Sequence, residues 1–133
     1  MPMKALLLAR LAAGCIFVSE GAQKFLFPEA LGVGRFVKIG LPAPQLLAPF
    51  VGVVEVGCGA LLIVGLFTRL AAAPLVVDML VAIATTKLPL LAKSGFWAAA
   101  HEARVDFAML LICLMLSMTG AGALSLDAAR GSK

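Results

Sequence analysis

Charge is scarce in this chain. Asp, Glu, Lys and Arg make up 14% of its 133 residues, against 62% hydrophobic residues, and the mean hydropathy is +1.08. That excludes an ordinary soluble domain, because a chain of this length has too little interior to hide so much apolar surface. A bilayer is the solvent that suits it. No basic run and no acidic tail occurs. The net charge of +4 therefore fits basic residues at membrane interfaces and loops, and no nucleic-acid binding is expected. Cysteine occurs three times, as Cys15, Cys58 and Cys113, each within an apolar run and never as C-x-x-C. This excludes a disulfide framework or a zinc site and reads as small buried thiols in helices. The single histidine, His101, has no second His or nearby thiol and reads as interfacial, so no metal site is expected. There is no haem ligand pair, flavin motif or iron–sulfur spacing, so any electron carrier must belong to a partner. A Ser–His–Asp set, a P-loop, a dinucleotide fingerprint and a metalloprotease motif are also missing, which argues against a self-contained enzyme.

What the chain does have is long apolar runs. Four are long enough, or nearly so, to cross a hydrocarbon core about 30 Å thick. They are Ala5 to Gly21, Leu46 to Phe67, Leu70 to about Thr86, and about Val105 to Gly120. "MPMKALLLARLAAGC" resembles a secretory signal, but Arg10 interrupts its apolar core and apolar character continues to Val18, so it reads as an uncleaved first span. The expected fold is an all-α membrane protein. It forms one domain over residues 1–133, with four transmembrane helices in an antiparallel bundle. "GLFTRL" makes a tight turn between the second and third spans, with Thr68 and Arg69 at its apex. The other two connections are long. In "FLFPEALGVGRFVKIGLPAPQ", a short interfacial helix starting at Pro28 and stopped by "GLPAP" is expected between the first two spans. "KLPLLAKSGFWAAAHEAR" carries Phe96 and Trp97 where an aromatic belt would sit. Both connections read as semi-buried lids. An even number of spans puts both termini on one side, and the distribution of Lys and Arg does not decide which side that is.

Charges inside spans cost at least about 2.5 kcal/mol each and usually face a bundle interior with a partner. At a rise of about 1.5 Å per residue, Arg10 lies roughly 8 Å deep, Asp78 roughly 12 Å and Glu55 roughly 16 Å. The three are expected to form one buried cluster, with Arg10 holding Glu55 and sharing it with Asp78. Nearer the long connections, Glu20 and Lys24 are spaced i,i+4 for pairing. His101, Glu102, Arg104, Asp106 and Lys87 arrive at a similar level. That polar, lidded half of the bundle is where a ligand pocket is expected. Gly52, Gly57 and Gly59 around Glu55 form a small-residue face for close helix approach. Small residues on several helices would permit a homodimer and equally suit packing within one chain.

"RLAAGCIFVSEGAQKF" resembles the first-helix pattern of the DoxX family, with Arg10, Gly14, Gly21 and Lys24 in register. "GLPAP" matches its Gly-x-Pro turn. "VGVVEVGCGALLIVGLFTRLAA" matches its second-helix pattern through Glu55, Gly57, Gly59, Gly65 and Arg69, and "GAGALSLD" matches its closing motif. Glu102 stands where a Glu often precedes the fourth helix. The resemblance covers nearly the whole chain. It implies a four-helix protein of the bacterial inner membrane with both termini in the cytoplasm, in a family associated with quinone-linked oxidoreductases. Glu20 departs from the pattern, standing where a His is common, and Asp78 is unusual for it.

The leading functional expectation is a membrane subunit that binds a quinone or other lipid-soluble ligand and docks a redox protein. Arg10, Glu20, Lys24, Glu55, Asp78 and Glu102 are the candidate ligand-binding or proton-linked residues, and Phe25, Phe27, Phe36 and Trp97 the candidate pocket walls. The alternatives are a small proton-coupled transporter and a ligand-free scaffold or assembly factor.

Overall fold

The computed structural model describes residues 3–29, 32–122 and 125–129, and among these all regular structure is helical. Helix α1 (Met3–Leu26) is followed by the short α2 (Val33–Lys38), then α3 (Pro44–Val64) and α4 (Thr68–Ala82). A π-helical turn (Ile83–Lys87) leads into α5 (Leu88–Ser94), then come α6 (Phe96–Thr119) and a terminal turn, α7 (Leu126–Ala129).

The most extensive contact in the fold lies between α1 and α3. Gly14 packs on Gly59 and Ile63, and Gly21 on Gly52 and Val56. As residue number rises along α1 it falls along α3, so the two helices are antiparallel. Glycines seven residues apart return to the same face after two turns, and both helices present such a pair. Without side chains between them the backbones come so close that a Cβ on Gly14 would sit 2.7 Å from the Gly59 carbonyl. Gly57 takes no part: a Cβ there would meet nothing within 4 Å. The expected three-glycine face is therefore a two-glycine seam, because a step of five residues carries Gly57 well away from Gly52's face.

Helices α4 and α6 form the second large contact. The core between the two pairs contains Ala13, Phe17, Leu62, Leu75, Met79, Met109, Cys113 and Leu116. The outer surface is itself apolar, with Val53, Leu70, Phe107 and Met118 exposed. Water would oppose that surface and hydrocarbon would not. Among the described residues, three helices are long and apolar enough to cross a membrane: Ala5–Leu26, Pro44–Val64 and the continuous rod Thr68–Ser94. Helix α6 has 24 residues, but its first half carries His101, Glu102, Arg104 and Asp106.

Several expected boundaries move. The second span ends at Val64 rather than Phe67, because Gly65 turns left-handed (φ +71°) and closes the helix. The amides of Gly65 and Leu66 donate back to the carbonyls of Leu62 and Leu61, the paired bonds of a Schellman motif. Thr68 and Arg69 begin α4 and are not at the turn's apex. The second long connection does not exist as a lid: residues 88–94 continue the third rod, and α6 begins directly after Gly95, whose φ is +93°. Pro89 does not stop the rod. It falls in the first turn of α5, and the wide π turn just before it makes room for its ring and its missing amide. The interfacial helix is present but starts at Val33. Pro28 lies in the preceding turn, where its carbonyl accepts from Gly32 and Gly34. Of the three thiols only Cys113 is buried; Cys58 is half-buried and Cys15 faces outward.

Candidate ligand cavity

A cavity of about 670 Å³ lies between α1, α2, α3, the α4–π rod and the start of α6. That is ample for a small ligand. Its walls are mainly apolar, with Ile16, Phe17, Phe36, Phe50, Val54, Val77, Val81 and Met109 among them. Helix α2 lies over α3 and turns Phe36 inward, so this segment does act as a lid.

The charges at the cavity are ordered rather than scattered. The Lys24 ammonium donates to Glu55 Oε1 at 2.5 Å, and both side chains are nearly buried. The Gly21–Gly52 contact brings the helices close enough for a Lys one turn further along α1 to reach a Glu one turn further along α3. Asp78 stands across from this pair, near enough to Glu55 for the two carboxyls to share a hydrogen bond. Asp78 Oδ2 is buried, and among the described residues no amide, ammonium or hydroxyl group donates to it. On the far wall Lys87 pairs with Asp106 Oδ2 at 3.1 Å. Thr85 and Thr86, in the π turn, also line the cavity, but each hydroxyl proton goes to a backbone carbonyl four residues back.

The expected Arg10–Glu55–Asp78 cluster is not formed. Arg10 is fully buried at the opposite end of α3, donating to the carbonyls of Leu62 and Ile63 at 3.3 Å each and lying within electrostatic reach of Asp127. Depth along the bundle does not fix which way a long α1 side chain reaches. The αL turn at Gly65 presents α3's last carbonyls to Arg10 instead. Asp127, carried on α7, bonds the amides of Phe67 and Thr68 with its two carboxylate oxygens at 2.8 and 2.9 Å. Its own amide donates to Gly65 at 2.8 Å. The α3–α4 turn is thus capped on both sides by distant residues: Arg10 serves the carbonyl end of α3, and Asp127 serves the amide end of α4.

Of the sequence candidates, Glu20, Lys24, Glu55, Asp78 and Phe36 line the cavity. Glu20 is exposed at its edge and Lys24 turns to Glu55 rather than to Glu20. Arg10, Glu102, Phe25, Phe27 and Trp97 are not among the lining residues. Phe25 instead packs over Gly52, and Trp97 is 82% exposed at the start of α6. Lys87 and Asp106, expected at the level of the pocket, line the cavity as an ion pair; the cation Arg35 and the walls Phe17 and Phe50 also belong to it and carry no signal in the sequence. Among the described residues no group of His, Cys, Asp and Glu is arranged to hold a metal ion.

Comparison with known proteins follows this architecture. The DoxX sequence profile matches residues 5–88. The chain belongs to the DoxX family. It is 49% identical over 124 residues to "Uncharacterized membrane protein Rv3486" of Mycobacterium tuberculosis, covering 89% of this chain and 76% of that protein. It is 33% identical over 121 residues to "Putative oxidoreductase CatD" of Bacillus subtilis, covering 91% and 83% respectively. No solved structure matches at a significant level. Family and apolar helices together make this DoxX protein a membrane protein. The DoxX match takes in Lys24, Glu55 and Asp78 and stops before Asp106 and Asp127.

Proposed function

We propose that this DoxX protein is a subunit of the bacterial inner membrane that holds a quinone or another lipid-soluble ligand in the cavity, and that it docks a separate redox protein. In this reading α6 is the fourth span of an antiparallel bundle and both termini are cytoplasmic. The observation that supports it most is the cavity itself: apolar walls for a hydrocarbon-soluble body, with Lys24, Glu55 and Asp78 gathered at one side. A quinone ring needs an apolar slot, a hydrogen-bond donor for a carbonyl, and groups that can pass protons. Lys24 supplies N–H donors, since only one of its three is committed to Glu55. Two adjoining carboxyls share a hydrogen bond only while one carries a proton, so Glu55 and Asp78 form a natural relay. The redox centre would come from the partner; the name of the Bacillus subtilis relative agrees with an oxidoreductase setting.

The test is the quinone extracted per protein from wild type and Glu55→Gln, both purified in mild detergent. Near-stoichiometric quinone in the wild type, lost in a variant with an unchanged elution profile, is the expected result. The variant is expected to fold, because Asp78 remains to face Lys24. A well-folded wild type that neither retains nor rebinds quinone would sink the quinone reading. The paired carboxyls support a second reading, proton-coupled transport. Substrate-dependent proton movement in liposomes, abolished by Glu55→Gln, would put that reading first.

A further inference from the structure

Helix α2 covers the cavity and carries two cations, of which one lines it. Arg35, Phe36 and Ile39 are all lining residues, and they fall within about 100° of the helix circumference. They form the inner face of the lid. Lys38 lies just off that face and is exposed, as an interfacial Lys would be. Arg35 is half-buried.

The other cations of the cavity are answered within the chain. Lys24 pairs with Glu55 and Lys87 with Asp106. Asp78 shares a hydrogen bond, and so a proton, with Glu55, which leaves these five groups without net charge. Arg35 differs. Among the described residues no carboxylate forms an ion pair with its guanidinium and no oxygen accepts from it. Glu20, at the cavity's edge, is exposed and does not pair with it. Lys24 also has N–H groups to spare, but its charge is already matched by Glu55. Arg35 alone brings an unmatched positive charge and a planar set of donors to a mainly apolar space.

We infer that Arg35 recognises the head of the cavity's ligand, its guanidinium donating to an sp2 oxygen (a quinone carbonyl or a lipid carboxylate) at the polar end of a tailed molecule. The inference rests on the cavity being the ligand site. The apolar walls take ring and tail, and the acceptor end stops under α2. A molecule without such an oxygen finds the same walls but leaves the guanidinium unanswered, so selectivity arises as a difference between the two. Phe36 closes the wall beside Arg35, so a bound head also ties the lid down.

The test measures binding to full-length protein in mild detergent at pH 8. The probes are decylubiquinone, dodecanoate, and decylbenzene, which keeps a ring and a tail without oxygen. Arg35→Met removes the donors and breaks no bond within the described chain, so the variant is expected to fold. It should bind the oxygen-headed probe about tenfold to a hundredfold more weakly than wild type. Decylbenzene should bind both proteins equally. Arg35→Lys, which also serves should the Met variant not fold, should show a smaller loss, because it keeps the charge without the planar pair of donors. Lys38→Met is the control and should change nothing. Whichever oxygen-headed probe responds names the source, neutral carbonyl or carboxylate; a response to dodecanoate alone would keep Arg35 and sink the quinone reading. Wild-type binding of the oxygen-headed probes that survives both Arg35 variants overturns the inference. So does an equal loss for decylbenzene, an equal loss in Lys38→Met, or a wild type that takes decylbenzene alone. Each of these leaves the cavity as a ligand site. No binding of any probe to the wild type overturns the cavity reading and this inference together.

Discussion

Alanine at Gly14 or Gly21 is expected to loosen α1 from α3 and to cost more than its one methyl group suggests. A Cβ on Gly14 would stand 2.7 Å from the Gly59 carbonyl and 2.6 Å from Ile63 Cγ1; on Gly21 it would stand 2.7 Å from the Gly52 carbonyl and 2.9 Å from the Val56 amide nitrogen. Side chains can swing aside, but the carbonyls and the amide belong to a helix and can yield only if the helix moves. Overpacking of a well-packed interior costs about 1–3 kcal/mol, and backbone contacts on both glycines place these substitutions at the upper end. Separation would also draw Lys24 away from Glu55, since the Gly21–Gly52 contact sets their reach. The measurement is the midpoint of thermal unfolding in detergent for Gly14→Ala, Gly21→Ala and Gly57→Ala. Gly57 faces open space and is the internal control, expected to be neutral or slightly stabilising through helix propensity. Equal effects at all three positions would remove the argument for a specific seam.

The second large effect is expected at the capped turn. Arg10→Leu takes the donor from the Leu62 and Ile63 carbonyls and leaves Asp127 facing one fewer cation in a buried site. Breaking a buried charged arrangement from one side typically costs about 3–5 kcal/mol in soluble proteins. Asp127→Ala removes the cap of α4, worth about 0.5–2 kcal/mol at an ordinary helix N-terminus. Because both residues finish one turn, the losses should not add: in the double variant the second substitution should cost clearly less than it does alone. Stability of the wild type, the two single variants and the double variant, measured by denaturant or SDS titration, closes this cycle. Strict additivity would mean that Arg10 and Asp127 act separately.

Much of this architecture could be read from residue types alone, and the failures have identifiable causes. The apolar runs locate α1, α3 and α4, since hydropathy over a span is a sum that no single residue overturns. Pro89 and Gly95 were read together as a long loop; only Gly95 breaks the helix, because a π turn absorbs the proline. A cavity does lie beside Glu20, Lys24, Lys87 and Asp106, in the half of the bundle where the charges crowd, and Glu55 and Asp78 join its lining although their residue numbers suggest a separate cluster with Arg10. Partner choice within it was not legible. A rise per residue gives depth and not azimuth, and Arg10, Lys24 and Glu55 all have side chains long enough to cross a turn. What decides between Arg10 and Lys24 as the partner of Glu55 is the glycine seam, which sets the register of α1 on α3. The heptad spacing of Gly14 with Gly21 and of Gly52 with Gly59 carried that register in the sequence.

The cap from Asp127 also bears on biogenesis. Thr68 leaves the ribosome 59 residues before the carboxylate that completes its helix start. In the multi-pass topology proposed above, the α3–α4 hairpin enters the bilayer with its turn unfinished, its polar amides held by water or headgroups near the interface. It locks only when α6 has been made and the chain has come back to the same end of the bundle. Until then the hairpin is free to tilt or slide, which gives the early helices time to find the glycine register before the last residues fasten it.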